Sequence, residues 1–190
     1  GDLTMTDIEL INFTLTDDLI LDTIANMNEF STITLSGGGN AEIFTAATGV
    51  QINSTIDGTA ATSAIELNAS AATGNGMSLK GGSGGDTLTG SAQADSLQGN
   101  AGNDTIFGGA SADTITAGEG NDNIIGGNGA DTMTGGDGTD NFDVATNGTT
   151  TVDVISDLAL GTDNIFVSAA PSGGVVTSVT AASGSSLAIA

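Results

Sequence analysis

Seven aspartates recur every nine residues in the middle of the chain, and they are its strongest candidates for binding chemistry. They are Asp86, Asp95, Asp104, Asp113, Asp122, Asp131 and Asp140. Carboxylates are hard oxygen ligands, and with main-chain carbonyls they provide the six to eight oxygens that Ca²⁺ prefers. The chain has no His and no Cys, so zinc and copper are weak competitors. The pattern therefore predicts calcium ions, against the alternative of acidic turns that are merely solvated.

Each of these aspartates is the sixth residue of a nonamer, and seven nonamers follow one another from residue 81 to residue 143. The eighth residue is always apolar: Leu88, Leu97, Ile106, Ile115, Ile124, Met133 and Phe142. Positions one to six are mostly turn-forming residues, whereas positions seven to nine predict a three-residue strand whose middle side chain points inward. Two nonamers then form one coil of a solenoid, which needs neighbouring coils to bury its core.

Residues 18 positions apart stack vertically in such a solenoid. One ladder contains Asp86, Asp104, Asp122 and Asp140, and the other contains Asp95, Asp113 and Asp131. Like charges stacked roughly 5 Å apart repel strongly unless a cation lies between them. The ladders therefore predict about three calcium sites on one edge and about two on the other. The first ladder has Gly at position four of every nonamer, so we expect its sites to be the better ordered.

The flanking segments also indicate strands and turns, which makes the predicted fold all-β. In residues 1–80, turn signals such as Asp57-Gly58 separate strand-like runs: Ile8–Ile11, Thr32–Leu35, Glu42–Phe44, Val50–Ile52 and Ala64–Leu67. We predict an irregular parallel β-helix over 1–80, a β-roll over 81–143 and a capping segment over 144–190. In the cap, Asp153, Asp157 and Asp163 are read equally well as turn residues or as further ligands.

The nonamer resembles the RTX repeat, G-G-x-G-x-D-x-U-x, a calcium-binding β-helix repeat. The resemblance implies that the seven sixth-position aspartates bind calcium between successive turns. It also implies that glycines shape those turns: Gly82, Gly84, Gly102, Gly118, Gly120, Gly127, Gly129, Gly136 and Gly138. The chain departs from the pattern with Gln93 and Ser111 at position four, Ser91 and Asn100 at position two, and Ala117 at position one.

The segment before the repeats is similar to the corresponding region of RTX-type bacterial surface-layer proteins, through the runs Ile8–Ile11 and Ser31–Gly37. Residues 152–165 resemble a segment that closes many RTX arrays. The resemblance implies type I secretion, a place on the cell surface and assembly with copies of the same chain. The alternative is a secretion and folding module of a larger secreted hydrolase, toxin or adhesin. An ice-binding solenoid is disfavoured because the third positions show no regular Thr or Asn array. The first residue is Gly1, so we expect a piece of a longer protein.

Composition excludes several function classes. The net charge is −22, and Lys80 is the only cation of the chain, which has no Arg. Nucleic acid and anionic membranes are therefore not expected partners. Without His, Cys, Trp or Tyr, we predict no catalytic residues and no enzyme. No apolar run approaches the roughly 20 residues of a transmembrane helix.

Overall fold

The computed structural model describes residues 10–16, 19–21, 32–39, 41–44, 55–144 and 152–166, and these residues form β-strands and no helix. The strands are β1 (Leu10–Leu15), β2 (Leu19–Leu21), β3 (Thr32–Gly37), β4 (Ala41–Phe44), β5 (Thr55–Ala61), β6 (Ile65–Asn68), β7 (Ser78–Lys80), β8 (Thr87–Thr89), β9 (Ser96–Ala101), β10 (Thr105–Ala110), β11 (Thr114–Glu119), β12 (Asn123–Asn128), β13 (Thr132–Asp137), β14 (Asn141–Asp143), β15 (Val154–Ile155) and β16 (Asn164–Phe166).

The strands form two eight-stranded sheets, and each pair of consecutive strands makes one coil. The odd-numbered strands form one sheet and the even-numbered strands the other, in chain order. All pairings between strands of a sheet are parallel, and in the repeats each residue pairs with the one 18 positions later, as Ile106 does with Ile124. The chain is therefore an all-β solenoid, and the predicted fold class is confirmed.

The core is a double ladder of eighth-position side chains. Each of the seven predicted core residues is at most 1% exposed. In the odd sheet Leu97 pairs with Ile115 and Ile115 with Met133, so one apolar side chain stacks on the next. The ladder continues upstream through Leu79 to Ile56. Because both segments share one core, the described strands before residue 81 and the repeats form one continuous stack.

Strands in the central repeats are longer than predicted. Strands β9 to β13 have six residues, which occupy positions seven to nine and then positions one to three of the next nonamer. The prediction of three-residue strands was wrong there, although β8 and β14 have three residues. The cause is that identical turns lie directly above one another. Main-chain pairing between coils continues into the turn, as between Gly118 and Gly136, beyond the residues whose side chains alternate between core and solvent.

The first eighty residues are only partly as predicted. The runs at 32–35, 42–44 and 64–67 fall in β3, β4 and β6, except that β6 begins at Ile65. The Asp57-Gly58 turn was a wrong prediction, because both residues lie inside β5, where the register against β3 shifts. The run at 50–52 and the first two residues of the run at 8–11 lie outside the described residues. The predicted boundaries at 80/81 and 143/144 stay predictions.

Glycines at the corners provide a test of how closely the coils stack. Gly127 has φ +99°, and a Cβ there would collide with the carbonyl oxygen of Gly109 one coil earlier. Gly161 has a similar φ of +91°, but a Cβ there would meet nothing within 4 Å. We expect Gly161→Ala to cost about 1–2 kcal/mol of unfolding free energy from the backbone conformation alone. Gly127→Ala should cost several times more, because it adds a clash with the backbone.

Urea unfolding of both variants at saturating calcium, followed by circular dichroism, measures the two costs. Equal losses would show that the coils can separate to admit a methyl group and that the corner is not tightly packed.

Candidate metal centre

The seven repeat aspartates lie on two edges of the solenoid, each immediately before a strand. We call these the Asp86 edge (Asp86, Asp104, Asp122, Asp140) and the Asp95 edge (Asp95, Asp113, Asp131). All seven residues are buried, with exposed fractions of 0–4%. Burial of ionisable side chains to this degree is rare unless they are paired, hydrogen-bonded or bound to a metal.

One oxygen of each carboxylate is held by the coil before it. The Oδ1 atom of Asp122 accepts a hydrogen bond from the main-chain N–H of Asp104 at 2.8 Å, and Oδ1 of Asp131 accepts one from Asp113 at 2.9 Å. The same bond is repeated along both edges at 2.7–3.0 Å. At the start of the ladders, Ile65 and Met77 donate to Asp86 and Asp95 instead. These bonds fix each carboxylate one coil from the next.

The second oxygen divides the seven turns into two kinds. In the first two turns Oδ2 accepts an N–H from its own turn: Gly82 donates to Asp86 at 2.6 Å, and Ser91 donates to Asp95 at 2.5 Å. We call these closed turns. In the other five turns, the open turns, Oδ2 is buried without a hydrogen-bond partner: Asp104, Asp113, Asp122, Asp131 and Asp140. An unpartnered buried carboxylate oxygen is costly, so the open turns need a ligand.

The two kinds of turn differ in backbone path. Every open turn has positive φ at positions two and four, in the pairs Asn100/Gly102, Gly109/Ser111, Gly118/Gly120, Gly127/Gly129 and Gly136/Gly138. In the closed turns the corresponding residues, Gly82, Gly84, Ser91 and Gln93, do not have positive φ. The backbone path and the state of Oδ2 therefore change together, between the second and third nonamers.

The two nonamers that lack Gly at position four have different turn conformations. Ser111 keeps the open path at φ 77°, a conformation that costs a residue with a Cβ on the order of 1 kcal/mol. Gln93 takes the other path, and its N–H bonds to the hydroxyl of Ser91 at 3.0 Å. Gly84 also lies in a closed turn, so glycine alone does not set the path. The predicted ranking of the two edges stays a prediction.

Burial disfavours the charged form of the carboxylates in the open turns unless a cation is present. Burial, together with the charges of neighbouring aspartates in the same ladder, raises the pKa of Asp104 and of Asp113 to about 7. Burial likewise raises the pKa of Asp122 to about 6. Hydrogen bonds from the preceding N–H groups oppose these shifts without cancelling them. A buried ladder of this kind is therefore stabilised by either protons or metal ions.

The single basic side chain does not supply the missing charge. Lys80 lies 3.6 Å from Asp57, its cross-strand neighbour, as expected for a cation that neutralises a nearby carboxylate. Partial burial would raise the pKa of Asp57, but hydrogen bonds from Thr59 and the Lys80 ammonium hold it below its usual value.

Oxygen chemistry at the open turns fits calcium. The described residues contain no group of three or more His, Cys, Asp or Glu able to hold a metal, so a site between successive coils would have at most two carboxylates. The remaining ligands would be main-chain carbonyls of the turns, which calcium accepts in a flexible shell of oxygens. The residues that would hold it are Asp104, Asp122 and Asp140 on one edge, and Asp113 and Asp131 on the other.

Three aspartates beyond the repeats take three different roles. Asp153 accepts the N–H of Asp131 at 3.0 Å, and its Oδ2 is buried without a hydrogen-bond partner. Asp163 accepts N–H groups on both oxygens. Asp157 accepts hydrogen bonds from the main-chain N–H groups of Gly135 and Gly136 in the coil before it. Sequence spacing did not distinguish these roles, because Asp153 and Asp163 follow their partners by 22 and 23 residues rather than 18.

A second ladder on the Asp86 edge was also missed. Asn103 accepts the N–H of Asn121, and Asn121 accepts that of Thr139, both at 2.8 Å. Asn at position five of two successive coils was the available signal. These hydrogen bonds connect successive turns on the solvent-exposed side of the Asp86 edge.

These features define a β-solenoid whose buried carboxylates are suited to calcium, and comparison with known families identifies its repeats. The family model for the RTX calcium-binding nonapeptide repeat (four copies) matches residues 80–115 and 107–142. The chain therefore carries RTX repeats over about a third of its length, and these repeats imply calcium binding by a structural β-roll. Neither the curated proteins nor the solved structures contain a match. In the described part of the chain, no helix is long and apolar enough to cross a membrane.

Proposed function

We propose that this chain is a structural, non-catalytic protein that is secreted, folds on meeting extracellular calcium, and assembles with copies of itself into a bacterial surface layer or matrix. The observation that carries the proposal is the set of five buried Oδ2 atoms without hydrogen-bond partners in the open turns. The RTX repeats, which are typical of secreted proteins, support the compartment.

Calcium concentration would act as the folding signal. Extracellular calcium modules have dissociation constants on the order of 10⁻⁴–10⁻³ M. Such sites are empty at the far lower calcium levels of a cytoplasm, where the net charge of −22 favours an expanded chain. Outside the cell the same sites fill. An unfolded chain inside and a folded one outside are suited to export through the type I route.

Assembly is supported by the shape of the solenoid and by its last described coil. The described coils form an elongated stack, and sheet edges favour association unless they are covered. Three large apolar side chains are exposed in the last described coil: Val154 at 38%, Leu160 at 41% and Phe166 at 53%. Exposed large apolar side chains such as these are candidate contacts for a neighbouring copy.

Electron microscopy of the full-length protein with calcium, with magnesium and with chelator tests assembly. We expect an ordered sheet with calcium and dispersed, unfolded chains with chelator. Magnesium should not replace calcium, because it demands near-ideal octahedral geometry and gives up its water reluctantly. Folded but dispersed particles in calcium would refute the layer and favour the alternative, an RTX module of a larger secreted protein.

A further inference from the structure

We propose a cation site between Asp131 and Asp153, one coil beyond the last RTX nonamer on the Asp95 edge, with no counterpart between Asp140 and Asp163 on the Asp86 edge. The inference rests on the calcium chemistry of the proposed function and extends it to a residue outside the family match, which ends at residue 142. The last described steps of the two edges therefore differ.

Asp153 has the burial and the hydrogen-bond pattern of an open-turn aspartate. It is 6% exposed. Its Oδ1 accepts the N–H of Asp131 at 3.0 Å, as Oδ1 of Asp131 accepts the N–H of Asp113 at 2.9 Å. The Oδ2 atoms of Asp131 and Asp153 are both buried without a hydrogen-bond partner. Consecutive carboxylates on the ladder are one coil apart, roughly 5 Å, which is the spacing a shared cation bridges.

Asp163 has the opposite arrangement. Its Oδ1 accepts the N–H of Asp140 at 3.1 Å, which continues the Asp86 edge. Its Oδ2 accepts the N–H of Ala159 at 2.8 Å, four residues earlier. This is the arrangement of the closed turns, where Gly82 donates to Asp86 over the same separation. Both oxygens of Asp163 therefore accept main-chain hydrogen bonds, and neither is left for a cation.

No basic group of the protein can serve the Asp131–Asp153 pair. Lys80, the only cation of the sequence, pairs with Asp57. Two adjacent buried carboxylates without such a partner are stabilised either by protons or by a cation from solvent. The insertion of four residues relative to the period of 18 hides this ladder step from the repeat pattern, although the hydrogen bond preserves it.

Calcium stoichiometry of the full chain tests the site, with Asp153→Asn and its matched control Asp163→Asn measured by equilibrium dialysis against radioactive calcium at pH 7.5. Asn keeps an Oδ1 acceptor for the N–H of Asp131 and removes the charge. We expect Asp153→Asn to bind one calcium fewer than the wild type and Asp163→Asn to bind the same number. An unchanged number for Asp153→Asn, or a loss in both variants, overturns the inference.

A wild type that binds no calcium overturns the proposed function as well, which separates the two failures. If Asp153→Asn does not fold, anomalous diffraction from calcium in wild-type crystals decides instead. A peak between Asp131 and Asp153, with none between Asp140 and Asp163, supports the site. Its absence from crystals that hold calcium in the repeats overturns it.

Discussion

Chelation of calcium at pH 7.5 should unfold the coils of residues 81–143 within the full chain, with loss of their β-sheet circular dichroism. The cause is the pair of aspartate ladders, whose open turns hold five buried carboxylates with one oxygen each unpartnered. Without a cation each of these groups is a buried charge next to another of the same sign. The sheet hydrogen bonds alone do not offset that cost, because water offers the unfolded chain equivalent bonds.

The expected size of the effect follows from mass action. A site at tenfold excess of calcium over its dissociation constant stabilises the folded state by roughly 1.4 kcal/mol. Three such sites between successive open-turn aspartates contribute roughly 4 kcal/mol, and the proposed Asp131–Asp153 site brings the sum to roughly 6 kcal/mol, comparable to the lower end of the range of about 5–15 kcal/mol for the whole stability of a domain. We therefore expect a cooperative transition as calcium is titrated back through about 10⁻⁴–10⁻³ M.

Two controls separate calcium binding from simple charge screening. Sodium chloride screens exposed charges but acts much less on buried pairs, so 0.5 M salt with chelator should not restore the signal. Magnesium at the same concentration as calcium should restore little of it. Recovery with salt alone would contradict the idea that the open turns bind ions individually.

The repeat itself could be predicted from the sequence because one side chain type is required at each of two positions. Position eight must fill a narrow core, and Ile106 and Phe142 satisfy that requirement equally, both fully buried. Position six must be an acceptor for the N–H one coil earlier, and Asp does this in every repeat. Both requirements recur with the coil, so counting residues was enough to find them.

Turn type could not be predicted in the same way, because it depends on the coil below as well as on the nonamer. Gly82 and Gly84 match the RTX pattern, yet their turn is closed. That turn stacks on the irregular β5–β6 coil, where a Cβ at Gly82 would meet the carbonyls of Gly58 and Ala61. Asn100 departs from the pattern, yet its turn is open. Its side-chain amide donates to the carbonyl of Gly81 at 2.7 Å, which anchors it to the coil below.

Acidification should restore the fold of the calcium-free protein. Burial raises the pKa of Asp104 and of Asp113 to about 7, and that of Asp122 and of Asp153 to about 6. In the unfolded chain these groups have pKa values of about 3.9, so between about pH 4 and pH 7 the folded chain binds more protons. The contribution to stability is fully present below about pH 4 and is lost as pH rises through 6 to 7.

Urea midpoints in chelator at pH 4.5, 5.5, 6.5 and 7.5 measure this dependence, and we expect the highest midpoint at pH 4.5. One unit of pKa is worth about 1.4 kcal/mol, so four such carboxyls can change the free energy of unfolding by several kcal/mol. Asp122→Asn removes one titrating group between Asp104 and Asp140 and should flatten the profile. Asp137→Asn, on the exposed third position of its nonamer, is the control for the loss of one negative charge. Saturating calcium should abolish the loss near neutral pH, because the ion replaces the protons. A midpoint that rises from pH 4.5 to pH 7.5 in chelator would mean that the ladders are held charged by other groups, and that calcium is not what keeps them folded.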